Sequence, residues 1–222
     1  MKTLLIASGL ALAFGDAQAI TLDFGSGPTA PTICSRLIDG SGALAPCVDN
    51  GLVNQAYGDV AGVVDVTYYS NPARAMPPSL HWWSENYNDL YGVLWAYEGG
   101  DAGSYARIEL KPLGSEGITL SGFDFGAYSN TRRGTFIDVY AISSTTPLFH
   151  YEGDVGSPPN HTSFAVNVSS ANGLWIDWQN SAYNVGIDNV TFSVQAVPEP
   201  QTYALVLGGL GLLATVVRRS RR

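Results

Sequence analysis

Three segments in the second half of the chain place an apolar side chain at every second position: Phe164, Val166 and Val168; Leu174, Ile176 and Trp178; and Val190, Phe192 and Val194. A period of two is the repeat of a strand with one buried face, and no helix can gather such a set on one side. These residues are expected to face a core, while Asn167, Trp175, Asp177 and Thr191 point away from it. Short runs rich in β-branched and aromatic residues recur along the whole body, at 20–24, 60–69, 91–97, 105–110, 118–125, 135–142, 148–151, 163–168, 174–178 and 190–194. Between them, Gly99-Gly100-Asp101, Ser129-Asn130-Thr131, Ser157-Pro158-Pro159-Asn160 and Ala171-Asn172-Gly173 supply turns. No amphipathic helix of useful length competes. The sequence predicts an all-β sandwich in one domain over residues 20–196, long enough to bury a full core.

Both ends read as segments that leave the fold. Lys2, the apolar run from Leu4 to Phe14 and the small-x-small site Ala17-Gln18-Ala19 predict a signal peptide over residues 1–19. At the other end, residues 197–222 divide into three parts. Pro198, Glu199 and Pro200 form a stiff, extended segment, because each proline fixes its own φ and biases the residue before it. Residues 203–217 carry no charge and read as a single transmembrane helix, marginal in length against the ~20 residues that span a bilayer comfortably. Gly208, Gly209 and Gly211 give it a small-residue face suited to another membrane helix. Arg218, Arg219, Arg221 and Arg222 form a basic tail that would hold the C-terminus in the cytoplasm.

The order of Pro-Glu-Pro, helix and arginine cluster resembles the PEP-CTERM sorting signal of Gram-negative bacteria that make exopolysaccharide. The resemblance implies an inner-membrane-anchored precursor. A membrane-embedded sorting enzyme, exosortase, would recognise the motif and remove the helix and tail, leaving the body at the cell surface or in the extracellular matrix, in a biofilm or exopolysaccharide context.

Charge narrows the partners. Over residues 20–196 six basic residues face seventeen acidic ones, a net of −11, and a surface of that sign lacks the basic footprint that nucleic acid requires. Cys34 and Cys47 are the only cysteines. In an oxidising compartment they are expected to pair, closing a short loop that would add roughly 3 kcal/mol of stability. A metal or nucleophile role would need partners that this segment does not offer.

A second resemblance covers roughly residues 95–195. Leu120-Ser121-Gly122-Phe123-Asp124-Phe125-Gly126, Ile137-Asp138-Val139-Tyr140, His161-Thr162-Ser163-Phe164, Leu174-Trp175-Ile176 and Gly186-Ile187-Asp188-Asn189-Val190-Thr191-Phe192 are similar to the bodies of PEP-CTERM proteins and to galactose-binding-like jelly rolls. Such domains bind carbohydrate through end loops and often hold a structural calcium. The first half, including the cysteine loop and residues 71–88, departs from that pattern.

Each candidate site has two readings. Asp23 and Asp188 would share a calcium ion if the first and last strands meet, or each would cap strand-end amides. Trp82, Trp83 and Tyr87, set among Asn, Asp and Glu behind the stiff pair Pro77-Pro78, would stack on a sugar ring, or would pack the core. Arg132-Arg133 would meet an acidic polysaccharide or lie in a solvated turn. The three sequons at Asn160, Asn167 and Asn189 carry no weight in this setting.

No cofactor other than that calcium is implied. His81, His150 and His161 lie in separate segments without metal-ligand spacing, and neither His-Glu-x-x-His nor Gly-x-Ser-x-Gly occurs. The leading expectation is a non-catalytic exported surface or matrix protein. The alternative is a carbohydrate-binding module with a defined sugar pocket, and a glycoside hydrolase using two carboxylates comes third.

Overall fold

The computed structural model describes residues 18–73 and 78–196. Most of the expected signal peptide and the sorting segment, with its motif at Pro198, Glu199 and Pro200, its helix and its arginines, lie outside the described residues.

Thirteen strands and one helical turn make up the described body: β1 (Gln18–Leu22), β2 (Cys34–Ser35), β3 (Leu52–Val53), β4 (Val64–Ser70), β5 (His81–Trp83), β6 (Val93–Trp95), α1 (Gly100–Gly103), β7 (Tyr105–Pro112), β8 (Glu116–Ala127), β9 (Arg133–Ala141), β10 (Pro147–Val155), β11 (Thr162–Ser170), β12 (Leu174–Gln179) and β13 (Val185–Ala196). They form two antiparallel sheets. One has eight strands in the order β11-β8-β13-β6-β5-β3-β2, with β1 also paired to β13, and the other runs β10-β9-β12-β7-β4. The result is the expected all-β sandwich, consistent with a jelly-roll arrangement. All ten anticipated runs have a strand, while β2, β3 and β5 are two- and three-residue strands too short to show a period.

The alternation assigns the faces as read. Leu174, Ile176 and Trp178 from β12, Ile108 and Leu110 from β7, and Ile137 and Val139 from β9 are fully buried against Val190, Phe192, Phe125 and Leu120 of the facing sheet. On β11 the set Phe164, Val166 and Val168 is only partly buried, because this strand lies at the sheet edge. Burying these side chains removes apolar surface from water at roughly 25 cal/mol per Å², the dominant favourable term.

Cys34 and Cys47 are disulfide-bonded, and both are buried. The loop they close returns on itself, with Cys34 N–H donating to Ala45 C=O at 3.0 Å and Ala45 N–H to Cys34 C=O at 2.7 Å. Covalent closure and a short bridge together replace the core that a two-residue strand cannot supply.

A cavity of aromatic side chains

Within β5, Trp82 and Trp83 point to opposite sides of the eight-stranded sheet. Trp82 is 3 % exposed, belongs to the central core, and donates its indole N–H to Phe24 C=O at 2.8 Å. Its surroundings make it a packing residue, so the pair expected to act together divides. Trp83 faces outward, where it joins Tyr87, Trp95, Tyr97, Tyr128 and Tyr183 around a cavity of about 190 Å³.

Several elements converge there. Leu94 of β6 enters the core, so Trp95 and Tyr97 on the same strand and its exit fall on the outer face. Tyr128 follows β8, and Tyr183 lies in the connection between β12 and β13. Trp95 meets Tyr183 edge to face at 5.1 Å, and Trp83 meets Tyr128 in the same way at 5.6 Å. His81 stacks beside Trp95 and Tyr97 at 5.1 and 5.3 Å, and its Nδ1 lies 3.0 Å from Asn50 C=O. Burial lowers the His81 pKa, which keeps the ring neutral against its aromatic neighbours. Tyr97 is 56 % exposed and forms the open side of the cavity.

Tyr87 is fixed rather than free. Asn86 and Asn88 on either side adopt left-handed backbone, with φ of 71° and 59°, a conformation that asparagine tolerates better than most residues. The Asn88 side chain accepts from Ala127 N–H at 2.7 Å and donates to Thr131 C=O at 3.2 Å. A Cβ at Gly126 would lie 2.2 Å from the Tyr87 carbonyl oxygen, so only glycine lets this turn approach the sheet. These asparagines therefore shape the turn. The amides available at the cavity belong to Asn50 and Asn184. Asn184 Nδ2 donates to Asp101, which also binds Arg133 at 3.1 Å. That ion pair engages one arginine of the Arg132-Arg133 spot, leaving Arg132 exposed.

Asp23 and Asp188 do come together, because β1 lies beside β13 in register, with Leu22 opposite Val190. Asp188 is buried, and its Oδ1 accepts from Phe24 N–H at 3.0 Å and Asn189 N–H at 2.8 Å. Asp23 Oδ1 accepts from Gly25 N–H at 2.8 Å. Burial pushes the Asp188 pKa up to about 8; the two amides oppose that shift, and the carboxylates of Asp23 and Asp124 add to it. Among the described residues no three His, Cys, Asp or Glu side chains gather as a metal site. Both carboxylates accept strand-end amides, the capping role that is the alternative to a shared calcium ion.

Two of the six aromatic wall residues, Trp83 and Tyr87, stand out in the sequence alone. Trp95 and Tyr97 carried a signal in the alternation of residues 91–97, whereas Tyr128 and Tyr183 reach the cavity through pairings that no local pattern encodes.

The PEP-CTERM protein-sorting motif matches residues 196–222, as the Pro-Glu-Pro resemblance implies. A chain bearing this signal is an exported, membrane-anchored precursor sorted by exosortase. No curated protein matches the sequence. Among solved structures, a family 29 carbohydrate-binding module complexed with mannohexaose is similar over 59 % of this chain and 92 % of its own, at 16 % identity and a TM-score of 0.26. A likeness that slight adds nothing to the reading of the cavity.

Proposed function

We propose that this chain is a non-catalytic, exosortase-sorted surface protein that uses the aromatic cavity to hold a sugar ring of an extracellular polysaccharide. The single observation that carries the reading is the wall itself: six indole and phenol rings line one opening, one of them the solvent-exposed Tyr97. Tyr87 and Trp95 are buried, Trp83, Tyr128 and Tyr183 are half-buried and Tyr97 is exposed, so part of the ring surface still meets water and a sugar's C–H face can cover it. At about 190 Å³ the cavity is smaller than the roughly 300–1,000 Å³ of drug-sized pockets, which suits one ring at a time. Asn50 and Asn184 supply amides for its hydroxyls.

The sorting motif supports a setting in the exopolysaccharide or biofilm matrix of a Gram-negative cell. The three histidines lie apart: His81 beside the aromatic wall, His150 against Asp138, and His161 between Asp89 and Ser163.

A glycan array probed with the purified protein tests the reading. Binding that falls about 10- to 100-fold in Trp83→Ala and in Tyr97→Ala, the equivalent of roughly 1.4–2.8 kcal/mol, is the expected result. Binding unchanged by both substitutions, or absent from every glycan, overturns it.

A further inference from the structure

The opposite outer face of the sandwich carries a different constellation. On the five-stranded sheet the ladder registers place Tyr69, Arg107, Asp177, Asp138 and His150 side by side across all five strands. The next row holds Thr67, Glu109, Trp175 and Tyr140. Between them lies a depression of about 280 Å³ lined by Tyr105, Arg107, Asp138, Tyr140, Trp175 and Asp177, with Gln179 at one end.

A merely solvated sheet face would carry mobile, exposed charges. Here the Asp177 and Asp138 side chains are 4 % and 10 % exposed. Arg107 forks onto Asp177, with Nε to Oδ1 at 2.6 Å and Nη2 to Oδ2 at 2.7 Å, and Nη2 also donates to Tyr105 Oη at 3.0 Å. Tyr105 O–H donates to Asp177 Oδ2 at 2.6 Å, and the guanidinium lies 4.0 Å over the Trp175 ring. Trp175 N–H donates to Glu109 Oε2 at 2.5 Å, and His150 Nδ1 lies 2.7 Å from Asp138 Oδ1. A sunken ion pair of this kind adds little net stability over an apolar replacement. A rigid array of acceptors, donors and flat rings on an outer face is instead what polyol recognition requires.

The geometry points to a second binding site on this face, for a neutral polysaccharide chain, so that one molecule bridges two chains from opposite sides. Tyr105, Tyr140 and Trp175 offer apolar faces, the Asp138 carboxylate accepts from hydroxyls, and the Gln179 amide and Arg107 Nη1, which has no partner among the described residues, donate, with Asp177 holding Arg107 and Tyr105 in place. Arg107 already neutralises Asp177, and Asp138 and Glu109 stand beside them, so an anionic sugar meets repulsion. The depression crosses β7, β12 and β9, and neighbouring strands are ~4.8 Å apart, so the surface follows an extended chain rather than enclosing one ring. This site stands independently of the aromatic cavity, and the bridging rests on both.

Affinity electrophoresis of the full-length protein in mild detergent, through gels containing galactomannan, dextran or alginate, separates the two sites. Tyr97→Ala disables the cavity alone, and Gln179→Ala with Tyr140→Ala disables the sheet face alone; unchanged urea midpoints show that each variant is folded. The expected result is that Tyr97→Ala is still retarded by a neutral gel, and that adding the sheet-face substitutions weakens its apparent affinity at least tenfold. Polysaccharide-coated beads should clump with the parent protein and with neither single-site variant. Retardation unchanged by the sheet-face substitutions, retention by alginate alone, or no retardation in either neutral gel overturns the second site. Loss of binding in Tyr97→Ala alone assigns all binding to the cavity and equally overturns it.

Discussion

Replacing Asp188 by asparagine removes a buried charge while keeping the oxygen that accepts from the Phe24 and Asn189 amides at 3.0 and 2.8 Å. In the folded protein burial holds this carboxyl at a pKa of about 8. An unfolded aspartate titrates near 3.9. Between those values the native state binds a proton that the unfolded chain has released, so the group costs progressively more stability as pH rises, and its cost levels off above about 8. The slope is at most about 1.4 kcal/mol per pH unit, and over the four-unit window it sums to on the order of 5 kcal/mol, comparable with the whole stability of a small domain. Urea unfolding followed by tryptophan fluorescence at about pH 5, 7 and 9 reads it directly. The parent protein should lose several kcal/mol more than Asp188→Asn across that range, and the contributions of groups that do not interact with Asp188 cancel in the difference. Parallel profiles would refute the reasoning, since they would mean an ordinary carboxylate. Calcium supplies a second arm. An ion between Asp23 and Asp188 would hold both ionised and raise stability at high pH in the parent alone, whereas amide capping predicts no calcium effect.

Three further outcomes are expected. Trp82→Ala should destabilise by about 3–5 kcal/mol, measured by urea midpoint, because it empties core volume and orphans the Phe24 carbonyl, while Trp83→Ala on the other face should cost far less. Replacing Cys34 and Cys47 by serine should cost roughly 3 kcal/mol in the same assay, and a midpoint that does not move would show that the loop is held by its hydrogen bonds alone. Glu199→Ala should leave full-length precursor in the membrane fraction with a folded body; normal processing would show that the acidic residue of the motif is dispensable.

The fold was legible wherever burial is one-sided. In β12 the sequence Leu-Trp-Ile-Asp-Trp reads directly as three core residues and two outward ones, and the sheet places them so. What periodicity could not show is that the outward Asp177 is itself buried beneath Arg107 and Tyr105, since that burial comes from β7, some seventy residues earlier in the chain. The same reason separates Trp82 from Trp83: adjacent tryptophans look alike in sequence, and only a three-residue strand sends one inward and one outward. At Asn86 and Asn88, likewise, composition does not distinguish a ligand amide from one that stabilises a left-handed turn.

The pairing of β1 with β13 gives the body a closing seam. Ile20 sits opposite Phe192 and Leu22 opposite Val190, with the Thr21 and Thr191 hydroxyls 3.1 Å apart, although some 170 residues of chain separate the partners. During vectorial translocation the leading strand must wait, unpaired, until the trailing one has been threaded through. Sheet closure thereby waits for β13, the last strand of the body, which ends where the sorting motif begins. A cut after Ala19, the site expected from the sequence, would fall inside β1, removing the Gln18 and Ala19 pairs and keeping those of Ile20 to Leu22 that hold the seam.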